Sequence, residues 1–164
     1  MPNKRDLKLD KYGISKFRYR ELANFCYQYD SWQDILKYKT HTVKSLQITD
    51  MPHGNGTGDP TEALVEERVE ASANSQLIEQ TLIQAITTLK DGKGNYICGD
   101  EWETRIYPQT MKAIICTDIT YTYLWQKMDI SVSKNVFNNI RRYFYYLLDK
   151  NKVGVIRTYF RDIV

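Results

Sequence analysis

No run of about 18 apolar residues occurs anywhere in this chain, so a transmembrane helix has nothing to be built from. Cysteines number only three, Cys26, Cys98 and Cys116, far apart in the sequence. An odd, scattered set is no disulfide framework and fits a reducing compartment. The cysteines read as small buried apolar groups. Histidines are scarcer still, His41 and His53 alone. With neither CxxC nor HExxH, a zinc site lacks a ligand set, and no metal is expected. The first residues, Met1 to Lys8, carry no apolar core and no small-residue cleavage site, so no secretory signal is expected and a cytoplasmic protein is.

What is present is an ordinary globular mix. Of 164 residues, 42% are hydrophobic and 26% charged, which argues against global disorder. A chain of this size buries roughly 70% of its unfolded surface, enough for a core without staples. The net charge of +3 is unevenly spread. Residues 1–50 sum to +4, residues 51–103 to −7 and residues 104–164 to +6. Segregated charge of this kind suits a protein that faces a polyanion on one side.

The apolar spacing predicts an all-α fold, a small multi-helix domain. Ser15 is placed to cap a first helix in which Leu22, Phe25, Cys26 and Tyr29 share one face. Asp30 and Ser31 interrupt it and can cap a second, with Trp32, Ile35 and Leu36 on one side. Residues 1–45 thus form an N-terminal helical segment. Thr49 to Pro60 holds three glycines and two prolines in twelve residues, and residues 46–60 read as a flexible linker. No Lys-Ser/Thr follows those glycines, so a phosphate-binding loop is disfavoured. Thr61 opens a long acidic helix whose Glu62, Glu66 and Glu67 suit its N-terminal end. Ala71, Ile78, Leu82, Ala85 and Leu89 keep a heptad-like seam, for the core or for a second subunit. Lys90 to Asn95 ends that helix in a turn, and 95–103 reads as a loop or short hairpin. From Thr104 the pattern is helical again, with Ile106, Met111, Ile114 and Ile115 apolar and Pro108 tolerable only in a first turn.

Residues 118–148 are the most informative. Thr120 caps a short helix running through Met128, with Tyr123, Leu124 and Met128 inward. Asp129 to Val132 makes a tight connection, with Ile130 and Val132 as buried spacers, and Ser133 caps the next helix. Val136, Phe137, Ile140, Phe144, Leu147 and Leu148 gather on one side of it. The other side carries Asn135, Asn138, Asn139, Arg142 and Tyr146, flanked by Lys134, Arg141 and Tyr145. That is the layout of a helix-turn-helix whose second helix, 134–148, lies in the major groove. Asn pairs bidentately with adenine and Arg with guanine. Ser131, Ser133 and the helix N-terminus can hold phosphates, with Arg141, Lys150 and Lys152 adding counterion release. Tyr143 is expected to pack, and Tyr145 and Tyr146 to touch the backbone at the groove edge. After Gly154, Ile156, Tyr159, Phe160 and Ile163 mark a terminal amphipathic helix, for the core or a homodimer contact. No nucleophile–base pair stands at a recognisable spacing, and Glu66/Glu67 reads as a solvated helix face. The chain is not read as an enzyme, and no cofactor is expected.

Three segments carry a resemblance: Arg20 to Trp32, Thr61 to Arg68 with Leu77 to Thr81, and Phe137 to Leu148. In their order the chain resembles the RinA/ArpU-type late-gene transcriptional regulators of phages and prophages in low-GC Gram-positive bacteria. A glycine-bearing insert around residues 91–100 departs from the compact helix-to-helix joint of that pattern. The resemblance implies a C-terminal part similar to the promoter-recognition region of sigma factors, with DNA contacts on Ser133, Lys134, Asn135, Asn138, Arg141 and Arg142. It further implies double-stranded DNA and host RNA polymerase as partners in a bacterial cytoplasm. Two other readings fit the same residues: a small terminase subunit recognising a packaging site, and a phage inhibitor that binds a host protein through the acidic middle.

Overall fold

The computed structural model describes residues 9–38, 60–98, 108–116, 118–127 and 132–161, with backbone alone at 60–62, 109 and 153–161. The fold is all-α. Among the described residues the only β-type pairing is one isolated antiparallel bridge, Lys90 to Tyr96. The residues 46–59 read as a linker lie outside the described set, as do Thr104, Ile106 and Met128 to Ser131.

Among the described residues the first element is a 3-10 turn, Asp10–Tyr12, which closes on Gly13, whose φ of 70° is left-handed backbone that suits glycine. Helix α1 follows at Lys16–Tyr27. The Arg18 amide donates to Ser15 Oγ at 3.2 Å, the expected N-cap. Helix α2 spans Tyr29–Tyr38. The break between them falls at Gln28 rather than at Asp30 and Ser31, because the Trp32 amide already donates to the Gln28 carbonyl. Asp30 therefore sits in the first turn of α2, where a carboxylate suits the positive helix end.

Helix α3 spans Pro60–Thr88, opening one residue ahead of Thr61. Its expected seam is buried at Ala71, Ile78, Leu82 and Ala85, joined by Ile86 and Thr81, while Leu89 is only half-buried. Helix α4 spans Pro108–Ile115, with proline at its first position, where the missing N–H costs nothing. Helix α5 spans Tyr121–Lys127. The Tyr123 amide donates to Thr120 Oγ1 at 3.2 Å, so Thr120 is its cap. Helix α6 spans Lys134–Arg161, with the Val136 amide on Ser133 Oγ at 3.4 Å. It runs unbroken through Gly154, so the terminal helix expected beyond that residue is a continuation of α6. One glycine costs a helix only about 1 kcal/mol, less than is needed to end one with a continuing apolar frame.

The chain divides into two compact units. One joins Met1–Tyr27 with Leu77–Val164, and the other is Gln28–Gln76. In the first, α1, α4 and α6 pack on one another. Its core holds Leu22 and Cys26 of α1, Ala113 and Ile114 of α4, and Phe137, Ile140, Phe144 and Leu148 of α6. Burying a side chain such as Leu or Phe is worth about 1.5–3 kcal/mol, so these residues hold α6 rigidly along one face. Polar links add direction. Arg18 of α1 donates to Asp149 of α6 at 2.5 Å, and Asn151 of α6 donates to Thr81 of α3 at 3.0 Å. In the second unit Trp32, Ala71 and Ser75 are buried.

Candidate nucleic-acid interface

Helix α6 has two faces with different fates. Phe137, Ile140, Phe144 and Leu148 are fully buried, and Leu147 nearly so. On the other side Ser133, Lys134, Asn135 and Asn139 are exposed, and Asn138, Arg142, Tyr143 and Tyr146 are half-buried. Arg142 Nη1 donates to Asn139 Oδ1 at 3.3 Å, so these two side chains meet one turn apart. Ser131 lies outside the described residues.

Two residues expected on the DNA side are instead interior. Arg141 is only 8% exposed. Its Nη2 donates to the carbonyls of Ala113, Cys116 and Ile119, the last at 2.8 Å. Those carbonyls finish α4 and the turn after it, so Arg141 brings a cation to the negative end of α4 and satisfies its orphan acceptors. The guanidinium also lies over the Phe137 ring at 4.8 Å. Burial lowers its pKa, and its Nε has no partner. Tyr145 is fully buried, and its hydroxyl donates to the Ile115 carbonyl at 2.9 Å. Its ring meets Tyr19 edge-on at 5.1 Å. Burial, then the neighbouring Cys26, pushes the phenol well above its ordinary pKa. The Cys26 thiol is likewise raised by burial, to about 12. Neither Arg141 nor Tyr145 is presented to a nucleic acid.

The preceding helix differs in one respect from expectation. Leu124 is its core residue, while Tyr123 is 50% exposed. A helix of two turns aims one narrow stripe inward, and Tyr121, three residues before Leu124, supplies the rest of it. The Tyr121 hydroxyl donates to the Val132 carbonyl at 3.1 Å, and its ring lies 5.7 Å from that of Phe137. Val132, the expected spacer, is 8% exposed. Through these contacts α5 is tied to the start of α6.

The spacing also concealed a groove beside α6. Asn139 and Arg142 form one wall, and Leu89 and Lys90 at the end of α3 another. The third is the 3-10 turn, with Asp10, Lys11 and Tyr12. The Tyr12 ring lies 4.8 Å from that of Tyr146 and 6.4 Å from that of Tyr143. Burial, then the adjacent Tyr143, raises the Tyr12 phenol, while the Arg142 charge opposes the shift. Asp91 Oδ1 accepts from the Lys93 and Asn95 amides at 2.8 and 2.9 Å, which shapes the turn after Lys90. Lys90 Nζ rests 4.7 Å from the Tyr96 ring centroid. The only sequence signal for this groove was the turn chemistry of Gly13 and of residues 90–95, which says nothing about what the turns face.

Among the described residues, no group of three or more His, Cys, Asp or Glu side chains is arranged to hold a metal ion. No described helix is long and apolar enough to cross a membrane. Comparison with family models, with curated proteins and with solved structures finds no match to this chain.

Proposed function

We propose that this protein binds double-stranded DNA sequence-specifically and regulates transcription, using α5 and α6 as a helix-turn-helix with α6 as the reader. The observation that carries the reading is the outward face at the start of α6. Asn135 and Asn139 stand exposed, and Asn138 and Arg142 half-exposed, on a helix whose opposite side is locked by Phe137, Ile140 and Phe144. A helix about 10–12 Å across fits a major groove about 12 Å wide. Amide and guanidinium groups are the side chains that read adenine and guanine edges there. Ser133, Lys134 and the helix N-terminus suit the flanking phosphates. The +6 charge of residues 104–164 favours the same partner.

The contact set is narrower than composition suggests, because Arg141 and Tyr145 serve the core. Among the described residues, what remains is Ser133, Lys134, Asn135, Asn138, Asn139 and Arg142, with Ser131 outside them. The resemblance to RinA/ArpU-type phage regulators supports transcription control, through RNA polymerase, in a bacterial cytoplasm. No cofactor and no bond chemistry enters this reading.

The test selects a duplex site from a random library and measures binding of Asn138→Ala and Arg142→Ala. Each lost base contact is expected to cost about 1–3 kcal/mol, or roughly 5- to 150-fold, and to relax preference at one position. Wild-type affinity and preference in both variants would overturn the assignment of α6 as the reader.

A further inference from the structure

Resting on the DNA-binding reading, we propose that the groove beside α6 is a second part of the interface, in which Lys11 and Lys90 grip backbone phosphates. Three separate chain segments bring a cation to this groove: Lys11 from the 3-10 turn, Lys90 from the end of α3 and Arg142 from α6. Against them stands one carboxylate, Asp10. No ion pair among the described residues neutralises Lys11, Lys90 or Arg142. Like charges gathered from distant segments repel one another, and an anion in the groove relieves that repulsion.

Both lysines are exposed, yet each stands on a fixed support. Lys11 lies between Leu9, which is buried, and the half-buried Tyr12, whose ring packs on Tyr143 and Tyr146 of α6. Lys90 leads into the turn held by the Asp91 carboxylate and by the bridge to Tyr96. The groove thus abuts Asn139 and Arg142, on the face assigned to base reading. In DNA-binding proteins, phosphate contacts set position and orientation while base contacts specify sequence. Lys11 and Lys90 fit the first role, flanking a helix that fits the second. Residues 9–13 then have a function beyond completing the core: they carry a phosphate clamp fixed to the reader helix.

The test is the salt dependence of binding to random-sequence duplex, by fluorescence anisotropy, for the full chain and for Lys11→Gln, Lys90→Gln and both together. Each single change is expected to weaken binding several-fold at low salt. Each is also expected to make the slope of log K against log salt shallower by about one, with sequence preference unchanged. Lys11→Arg and Lys90→Arg are expected to keep the wild-type slope. Wild-type slopes in the glutamine variants, while Arg142→Ala still loses sequence preference, would overturn the clamp and leave the reader helix standing. Absence of duplex binding by the wild-type chain would overturn both. Titration with inorganic phosphate, followed through the Lys11 and Lys90 amide signals, separates a free-anion pocket from a backbone clamp. Saturable binding of phosphate alone, with slopes unmoved by the variants, would also overturn the proposal.

Discussion

Replacing Arg141 by methionine separates the two arginines that stand side by side in α6. Arg141 supplies the Ala113, Cys116 and Ile119 carbonyls from a nearly buried guanidinium. Hydrogen bonds to a charged group contribute about 1.5–3 kcal/mol each, and stripping a buried acceptor of its donor costs about 1–3 kcal/mol. Removing the buried cation returns part of that, because its own desolvation no longer opposes folding. The balance expected for Arg141→Met is a loss of about 3 kcal/mol. That is a large share of the roughly 5–15 kcal/mol by which domains are stable. For a chain of this length the melting temperature should drop by about 6–12 °C, at 2–4 °C per kcal/mol. Arg142→Ala, on the half-exposed face, should change stability by no more than about 0.5 kcal/mol. DNA binding should show the reverse ranking. Below its melting temperature, Arg141→Met keeps wild-type affinity and sequence preference, whereas Arg142→Ala loses affinity and relaxes preference at one position. Urea unfolding and anisotropy on the same preparations decide the matter. An Arg141→Met protein of wild-type stability that no longer binds DNA would refute the division of labour.

Other expectations follow from the same core. Tyr145→Phe strips the donor from the Ile115 carbonyl and should cost about 1–3 kcal/mol in urea unfolding while leaving duplex binding unchanged; a binding defect without a stability loss would count against the buried role. Cys26, with its thiol raised to about 12, should resist alkylation at pH 8 in the folded protein and react only on unfolding; peptide mapping of iodoacetamide-treated protein checks this. The folded state holds the Cys26 proton that the unfolded chain releases near pH 9, so this contribution is complete below that pH. It should be lost at about 1.4 kcal/mol per pH unit between roughly 9 and 12, and flat stability there would contradict the burial. Asp91 behaves oppositely, its carboxyl lowered first by the Asn95 amide and then by that of Lys93. Its support of the turn is full above the ordinary carboxylate range and lost as pH falls through the lowered value. An NMR titration midpoint of Asp91 at or above the ordinary carboxylate value would refute that.

Much of the helical frame was legible because caps and apolar spacing are local properties. Ser15, Thr120 and Ser133 each accept from the amide three residues on, as their side chains and positions suggest. Phe137, Ile140 and Phe144 mark the buried side of α6 at its own period. The buried status of Arg141 was also within reach. It stands seven residues before Leu148, which at 100° per residue is about 20° away on the wheel, inside the apolar arc. Its charge argues for the surface while its angle argues for the core. What no spacing could reveal is the partner of that charge, since the carbonyl ends of α4 meet α6 only through tertiary packing. The same holds for Tyr145 on Ile115 and for the groove. Lys11, Lys90 and Arg142 lie far apart in sequence, and their meeting depends on how α3, the 3-10 turn and α6 pack. Tyr123 shows the converse: a two-turn helix is too short for periodicity to say which aromatic faces in.

The central claim, that α6 reads duplex DNA, is tested most directly by fluorescence anisotropy of the wild-type chain on random-sequence duplex across a salt series. The account predicts binding at low salt that weakens linearly in log K against log salt, with a slope of several units reporting the phosphates neutralised. No binding at low salt would contradict it and turn attention to a protein partner of the acidic segment 51–103 instead.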